Sequence, residues 1–169
     1  MIKVMYEHWL SERVPRYRQL STAEREAVAG FLHFWPLFEG LVLDGSASPG
    51  KLCDLAERGG ENLGWSQAVR EALAHYQQRY FPNREAAARF ESLRFRRHDR
   101  RDLVVAVMSQ EVRDPASCTA AVLLILYRLR NNLFHGEKWH YGLEGQQANF
   151  DHANQVLIEL LEHFSSLRP

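Results

Sequence analysis

The stretch from Tyr127 to Trp139, YRLRNNLFHGEKW, gathers the side chains best suited to chemistry. Arg128, Arg130, Asn131, Asn132 and His135 follow one another within eight residues. A histidine with its ordinary pKa of about 6.5 can take and return a proton at neutral pH. An arginine offers a planar, permanently charged fork that matches phosphate or carboxylate oxygens. The set can therefore move a proton and hold an anion without a metal. On a helix, Asn131 and His135 are four apart and share a face. Arg130 and His135 are five apart, about 140° around an ideal helix. They converge on one ligand only if the last turn loosens or a second copy of the chain supplies the partner. Each group also has a structural role open to it. Arg130 can pair with Glu39, a carboxylate in an otherwise apolar helix that needs a partner if buried. His135 can complement the negative end of the helix dipole, and Asn131 and Asn132 can cap and turn the chain.

These residues must be positioned by the helix before them. Asp114-Pro115 is a helix start with proline in the first turn. The middle of the segment, AAVLLILY, has almost no polar face, so it is packed on all sides. Gly136 follows His135 where a C-terminal cap is expected, and residues 136–146 read as a glycine-rich loop. Other helices are expected over Lys3 to Arg13, from Ser21 or Thr22 onward, over Lys51 to Arg58 before Gly59-Gly60, and from about Trp65 to Tyr80. Three more are expected from Arg84 to Phe95, Asp102 to Gln110 and Phe150 to Phe164. Ser21 and Glu24 have capping-box spacing, and Asn83 can cap the helix after Pro82. Pro36 is expected to kink its helix near His33. There is no convincing alternating strand and no internal repeat. The fold class is all-α, a bundle of about five to seven helices in a single domain over 1–169, with 1–20 as an N-terminal extension.

Composition bounds the function. The chain has 169 residues, and Lys+Arg and Asp+Glu are both 21. Zero net charge argues against an overall field that drives indiscriminate nucleic-acid binding, and leaves room for a local basic site. The longest apolar run, Ala120 to Tyr127, is too short to span a bilayer. The N-terminus lacks a signal-peptide stretch, so a cytoplasmic protein with no membrane partner is expected. Cys53 and Cys118 form no disulfide framework and no metal pair, and read as reduced core residues.

Arg130-Asn131-Asn132-Leu133-Phe134-His135 resembles the R-x4–6-H motif of the HEPN superfamily of small α-helical domains. The RNNLFHG wording is similar to the plasmid-borne and ApeA-like branches. So is the early aromatic, Glu-containing helix, here FWPLFEGLVLDG at 34–45, and Phe150 to Phe164 fits the family's helix after the motif. The resemblance covers about 22–45 and 115–165. A second spacing match, Arg70 to His75, sits mid-helix with no polar cluster and no following loop, and is set aside.

The resemblance implies a metal-independent endoribonuclease, a toxin or anti-phage defence effector. RNA would be cut by its own 2′-hydroxyl, with His135 moving protons and Arg130 stabilising the phosphorane charge. Asn131 would orient the His135 ring or the phosphate. Two protomers would place their motifs in one cleft, so a homodimer is expected, with an antitoxin or inhibitor protein as a further partner. Glu39 would support the motif rather than react. The alternative is a non-catalytic HEPN-like dimeric module that binds RNA, a nucleotide or a partner protein.

Around the motif, Asn132, Arg128, Lys138, Trp139 and His140 are candidates for binding substrate. A cation beside aromatic rings can grip phosphate and stack on a base, although Trp139 and Tyr141 can equally pin the loop to the bundle. Arg94, Arg96, Arg97, Arg100 and Arg101 can hold an RNA backbone or form a solvated face. His135, His140 and His152 lack the spacing and the further ligands of a metal site. Neither metal nor cofactor is expected.

Overall fold

A computed structural model describes the backbone over residues 2–64, 66–81, 83–135 and 143–164, and side chains over the same ranges except 2–5, 61, 63 and 64. The regular elements of these residues are α-helices: α1 Ile2–Arg13, α2 Pro15–Gln19, α3 Thr22–Val42, α4 Pro49–Gly64, α5 Gln67–Tyr80, α6 Arg84–Glu91, α7 Arg101–Met108, α8 Pro115–Phe134 and α9 Gln147–Phe164. The described residues thus hold nine helices, more than the expected five to seven; Pro15 opens a further short helix, α2, directly after α1.

Local chemistry sets most helix starts. The Ser21 hydroxyl accepts from the Glu24 N–H, and the Glu24 carboxylate accepts from the Ser21 N–H, which completes the capping box on α3. Asn83 caps α6 through the Ala86 N–H, Ser66 caps α5 through Val69, and Asp114 caps α8 through Ser117. Each bond satisfies a backbone donor that the helix itself leaves free.

Pro36 lies inside α3, which continues to Val42. Gly60 interrupts α4 as the Gly59-Gly60 pair leads one to expect: it takes φ 53° and ψ −144°, outside helical geometry, and helical turns resume beyond it to Gly64. The helix from Arg84 ends at Glu91 rather than Phe95, because the Leu93 and Arg94 N–H groups turn back onto Phe90 and Glu91 and Arg94 is left-handed. Residues 10–20 join the main body. Tyr17 and Leu20 are buried in its core, with Leu10 and Val14 packed against it.

The hydrophobic core is organised around α8. Every residue from Cys118 to Leu126 is buried, as a helix without a polar face requires. α8 packs on α4, α7 and α5, while α9 packs on α3 and α5. Phe31, Trp35 and Phe38 line one side of α3 at helical spacing. Trp35 lies 5.7 Å from Phe31 and 5.5 Å from Phe38 between ring centres, and Phe150 of α9 lies 5.2 Å from Phe31. Such tilted and edge contacts suit the ring quadrupoles. Trp35 also reaches Tyr127 of α8 at 6.4 Å, which brings α3 beside the end of α8 where the polar residues begin. No helix of the described residues is long and apolar enough to cross a membrane.

Candidate functional site

The last two turns of α8 divide the motif between two faces. Arg128 and Asn132 are one turn apart and both are buried. Arg128 donates from Nε to the Leu93 carbonyl at 3.0 Å and pairs through Nη1 with Asp99 Oδ2 at 3.0 Å. The Asn132 amide donates to the carbonyls of Ser92 and Leu93, both at 3.2 Å. These bonds fasten α8 to the connection between α6 and α7. Both residues are expected above to bind substrate. The structure corrects that expectation: their donors are committed inside the protein, and they hold the helix end in place. The reason is geometric: residues four apart share a helix face, and this face of α8 packs against the α6–α7 connection.

Arg130 and Phe134 occupy the other face. Arg130 Nη1 donates to Asn131 Oδ1 at 3.0 Å, Nη2 lies 3.7 Å from Glu39 Oε2, and the guanidinium carbon sits 4.9 Å from the Phe134 ring centre. The Glu39 contact is an ion pair too long for a strong hydrogen bond. The Arg130 side chain is 29% exposed and that of Glu39 15%, so the pair is partly screened from water. Arg130 Nε is enclosed and makes no bond.

Glu39 has a second task. Its Oε1 accepts from the Ala47 N–H at 3.0 Å, and its backbone carbonyl accepts from the Gly45 N–H at 2.8 Å. One carboxylate therefore folds the loop after α3 and opposes the charge on Arg130. Asn131 is buried and gives its side-chain oxygen to Arg130, so it orients the arginine directly.

His135 is exposed and stands one residue beyond the helix, as its C-cap. Its backbone N–H donates to the Asn131 carbonyl at 3.0 Å. Among the described residues nothing bonds its ring. An exposed imidazole at this helix end can meet a ligand. Lys138, Trp139 and His140 lie outside the described residues. The structure thus brings together Arg130, Asn131 and Glu39, adds Phe134, and sends Arg128 and Asn132 to the opposite side.

The basic stretch after α6 is built around a buried acid. Asp99 accepts from the Arg96 N–H at 2.7 Å and from Arg128. Arg101 pairs with Glu91 and lies over Phe90, Arg100 stands 4.0 Å from Asp102, and Arg96 and Arg97 are exposed. Asp99 is an acid within a run of arginines. Its position three residues after Arg96, where a side chain can fold a turn, is the signal that points to its role.

His75, set aside above for want of polar company, has it across the α5–α9 interface. Its Nε2 lies 2.8 Å from Asn149 Oδ1, and its ring stacks on His152 with centres 4.7 Å apart. Asn149 is fully buried and also receives the Tyr76 hydroxyl on its backbone carbonyl, while its amide donates to the Tyr80 hydroxyl. Burial pushes the His75 pKa down. The Asn149 bond opposes that shift, and the charges of His152 and Arg79 add to it. The partners lie on different helices, so spacing along one helix could not show them.

Comparison with family models, with curated proteins and with solved structures finds no match. Among the described residues no group of three His, Cys, Asp or Glu side chains is placed to hold a metal ion.

Proposed function

We propose that this chain is a metal-independent endoribonuclease of HEPN type, a toxin or anti-phage defence effector that works in the cytoplasm as a homodimer. The observation that carries the reading is a partly buried arginine in the last turn of α8, oriented by Asn131, with an exposed histidine as the C-cap of the same helix. Arg130 is aimed by Asn131 and opposed by Glu39, and His135 is exposed just beyond.

In this reading the neutral imidazole of His135 removes the proton from an RNA 2′-hydroxyl. The oxygen attacks the adjacent phosphorus in line, and the P–O5′ bond breaks. Products are a 2′,3′-cyclic phosphate and a 5′-hydroxyl. The leaving oxygen takes its proton from an imidazolium, which the second protomer's copy of the same motif supplies. Arg130 gains most when charge builds on the phosphorane oxygens, which is the differential stabilisation that lowers a barrier.

The homodimer draws support from exposed apolar side chains. Phe134 is 50% exposed. Leu32 is 38% exposed and stands two helical turns before Glu39, on the same face of α3. A second copy would cover them and bring its own Arg130 and His135 to the cleft. An antitoxin or inhibitor protein is a further partner in this reading.

The alternative is a non-catalytic HEPN-like dimeric module that binds RNA, a nucleotide or a partner protein. The Glu39 carboxylate beside Arg130 favours it, because that charge reduces the pull on phosphate. The deciding experiment is RNA cleavage by purified protein in EDTA, with Arg130→Ala and His135→Ala beside the wild type. Cyclic-phosphate ends, lost in both variants, are expected. A folded dimer that cleaves neither tRNA, rRNA nor mRNA would turn the reading to the binding module.

A further inference from the structure

A separate groove of about 270 Å³ opens between α5 and the turn that leads from α7 into α8. Leu73, Val112 and Cys118 give it an apolar lining, and Arg70 and Arg113 line it as well. Both arginines are exposed. Among the described residues no carboxylate pairs with either one. Arg113 uses Nε to donate to the Gln110 carbonyl at 2.9 Å, which leaves both terminal nitrogens for a ligand. The acid next to it, Asp114, is committed to capping α8 through the Ser117 N–H at 2.9 Å.

The wall that carries Arg113 is fixed. The Glu111 and Val112 N–H groups both donate to the Ala106 carbonyl, at 2.9 and 3.1 Å, and Gln110 holds a left-handed φ of 65°. Across the groove, Gln77 Nε2 donates to the Val107 carbonyl at 3.2 Å, tying α5 to the end of α7. Arg70, Leu73 and Gln77 share one face of α5 by their spacing. Two cations, neither paired with a carboxylate among the described residues, thus flank a preformed apolar surface.

We propose that this groove binds a small amphiphilic anion, one carboxylate or phosphate on an apolar body. Arg70 and Arg113 take the head group, and Leu73, Val112 and Cys118 receive the apolar part. The volume lies just below the roughly 300–1,000 Å³ of sites for drug-sized ligands, so the body is small. The inference stands whether or not the chain cleaves RNA.

The test uses the full chain with Cys53→Ala, which leaves Cys118 as its single thiol. Octanoate and phenyl phosphate are titrated by calorimetry, with octanol as the neutral control. Iodoacetamide labelling of Cys118 runs alongside in mildly alkaline solution, because burial pushes that thiol's pKa up. At least one of the two anions should bind saturably and slow the labelling. Octanol should bind about tenfold more weakly or worse, and Arg70→Gln and Arg113→Gln should each weaken the anion about five- to tenfold at unchanged melting temperature. Equal binding of octanol and the anions would overturn the proposal. So would arginine variants that bind like their parent, or no binding of either anion at millimolar concentration.

Discussion

Arg130 and Phe134 stand one turn apart on α8, and the guanidinium of the first lies 4.9 Å from the ring centre of the second. The contact joins the candidate phosphate-binding group to an exposed aromatic side chain. Neither Phe134 nor its neighbour Leu133 carries chemistry by itself, yet the ring limits where the Arg130 fork can swing. A cation over an exposed ring is worth about 0.5–1 kcal/mol. Phe134→Ala should therefore lower RNA cleavage several-fold, and it should lower the melting temperature by a few degrees as well, because in the proposed homodimer the second copy covers this half-exposed ring. Steady-state kinetics beside a thermal melt check both halves. A variant with normal cleavage would show that Phe134 does not position Arg130.

Glu39 offers a charge test without loss of shape. Glu39→Gln keeps an oxygen for the Ala47 N–H and removes the negative charge beside Arg130. RNA affinity at low salt should rise, with a salt dependence steeper by about one phosphate contact. Glu39→Ala also removes the loop bond and should cost about 1 kcal/mol of stability. Binding titrations over a salt series, with urea unfolding of each variant, separate the two effects.

The Arg128–Asp99 pair is buried on both sides, with the side chains 3% and 8% exposed. Removing one partner leaves an uncompensated charge, which costs about 3–5 kcal/mol. Asp99→Ala should thus unfold at much lower urea, and Arg128→Met similarly. The double variant should recover part of the loss, as a double-mutant cycle in urea would show. Additive losses would mean that the two side chains act separately.

The α5–α9 interface should make stability depend on pH. The folded-state pKa of His75 lies below the ordinary value of 6.5, so between the two values the unfolded chain binds the extra proton. Stability then falls with acid, from full contribution above about pH 6.5 to its loss below the folded-state value. Protonation would also set a positive ring against His152 and near Arg79. Urea midpoints measured from pH 7.5 down to 5 should decrease, and His75→Gln should flatten that decrease. An equal pH slope in the variant would assign the effect to other groups.

Much of this architecture is legible along the chain. Ser21 with Glu24, Asn83 and Asp114 with Pro115 mark helix starts through bonds to N–H groups three residues away, a range that sequence spacing covers. The apolar run in α8 announces its burial, because a helix with no polar face must be surrounded. The arginine, asparagine and histidine of the motif are adjacent, so their clustering needs no tertiary information.

Spacing alone left open which way each polar residue turns. Arg128 and Asn132 go inward because the α6–α7 connection, with its carbonyls and Asp99, packs against that side of α8. Arg130 meets Glu39, 91 residues earlier in the chain, because the aromatic face of α3 draws it beside the end of α8. His75 and His152 stack for the same reason, across two helices packed by their apolar stripes. Bonds within a helical turn follow from residue order. Contacts between helices depend on how apolar faces pack, and the packing alone selects which of several competent polar residues face a ligand and which hold the frame.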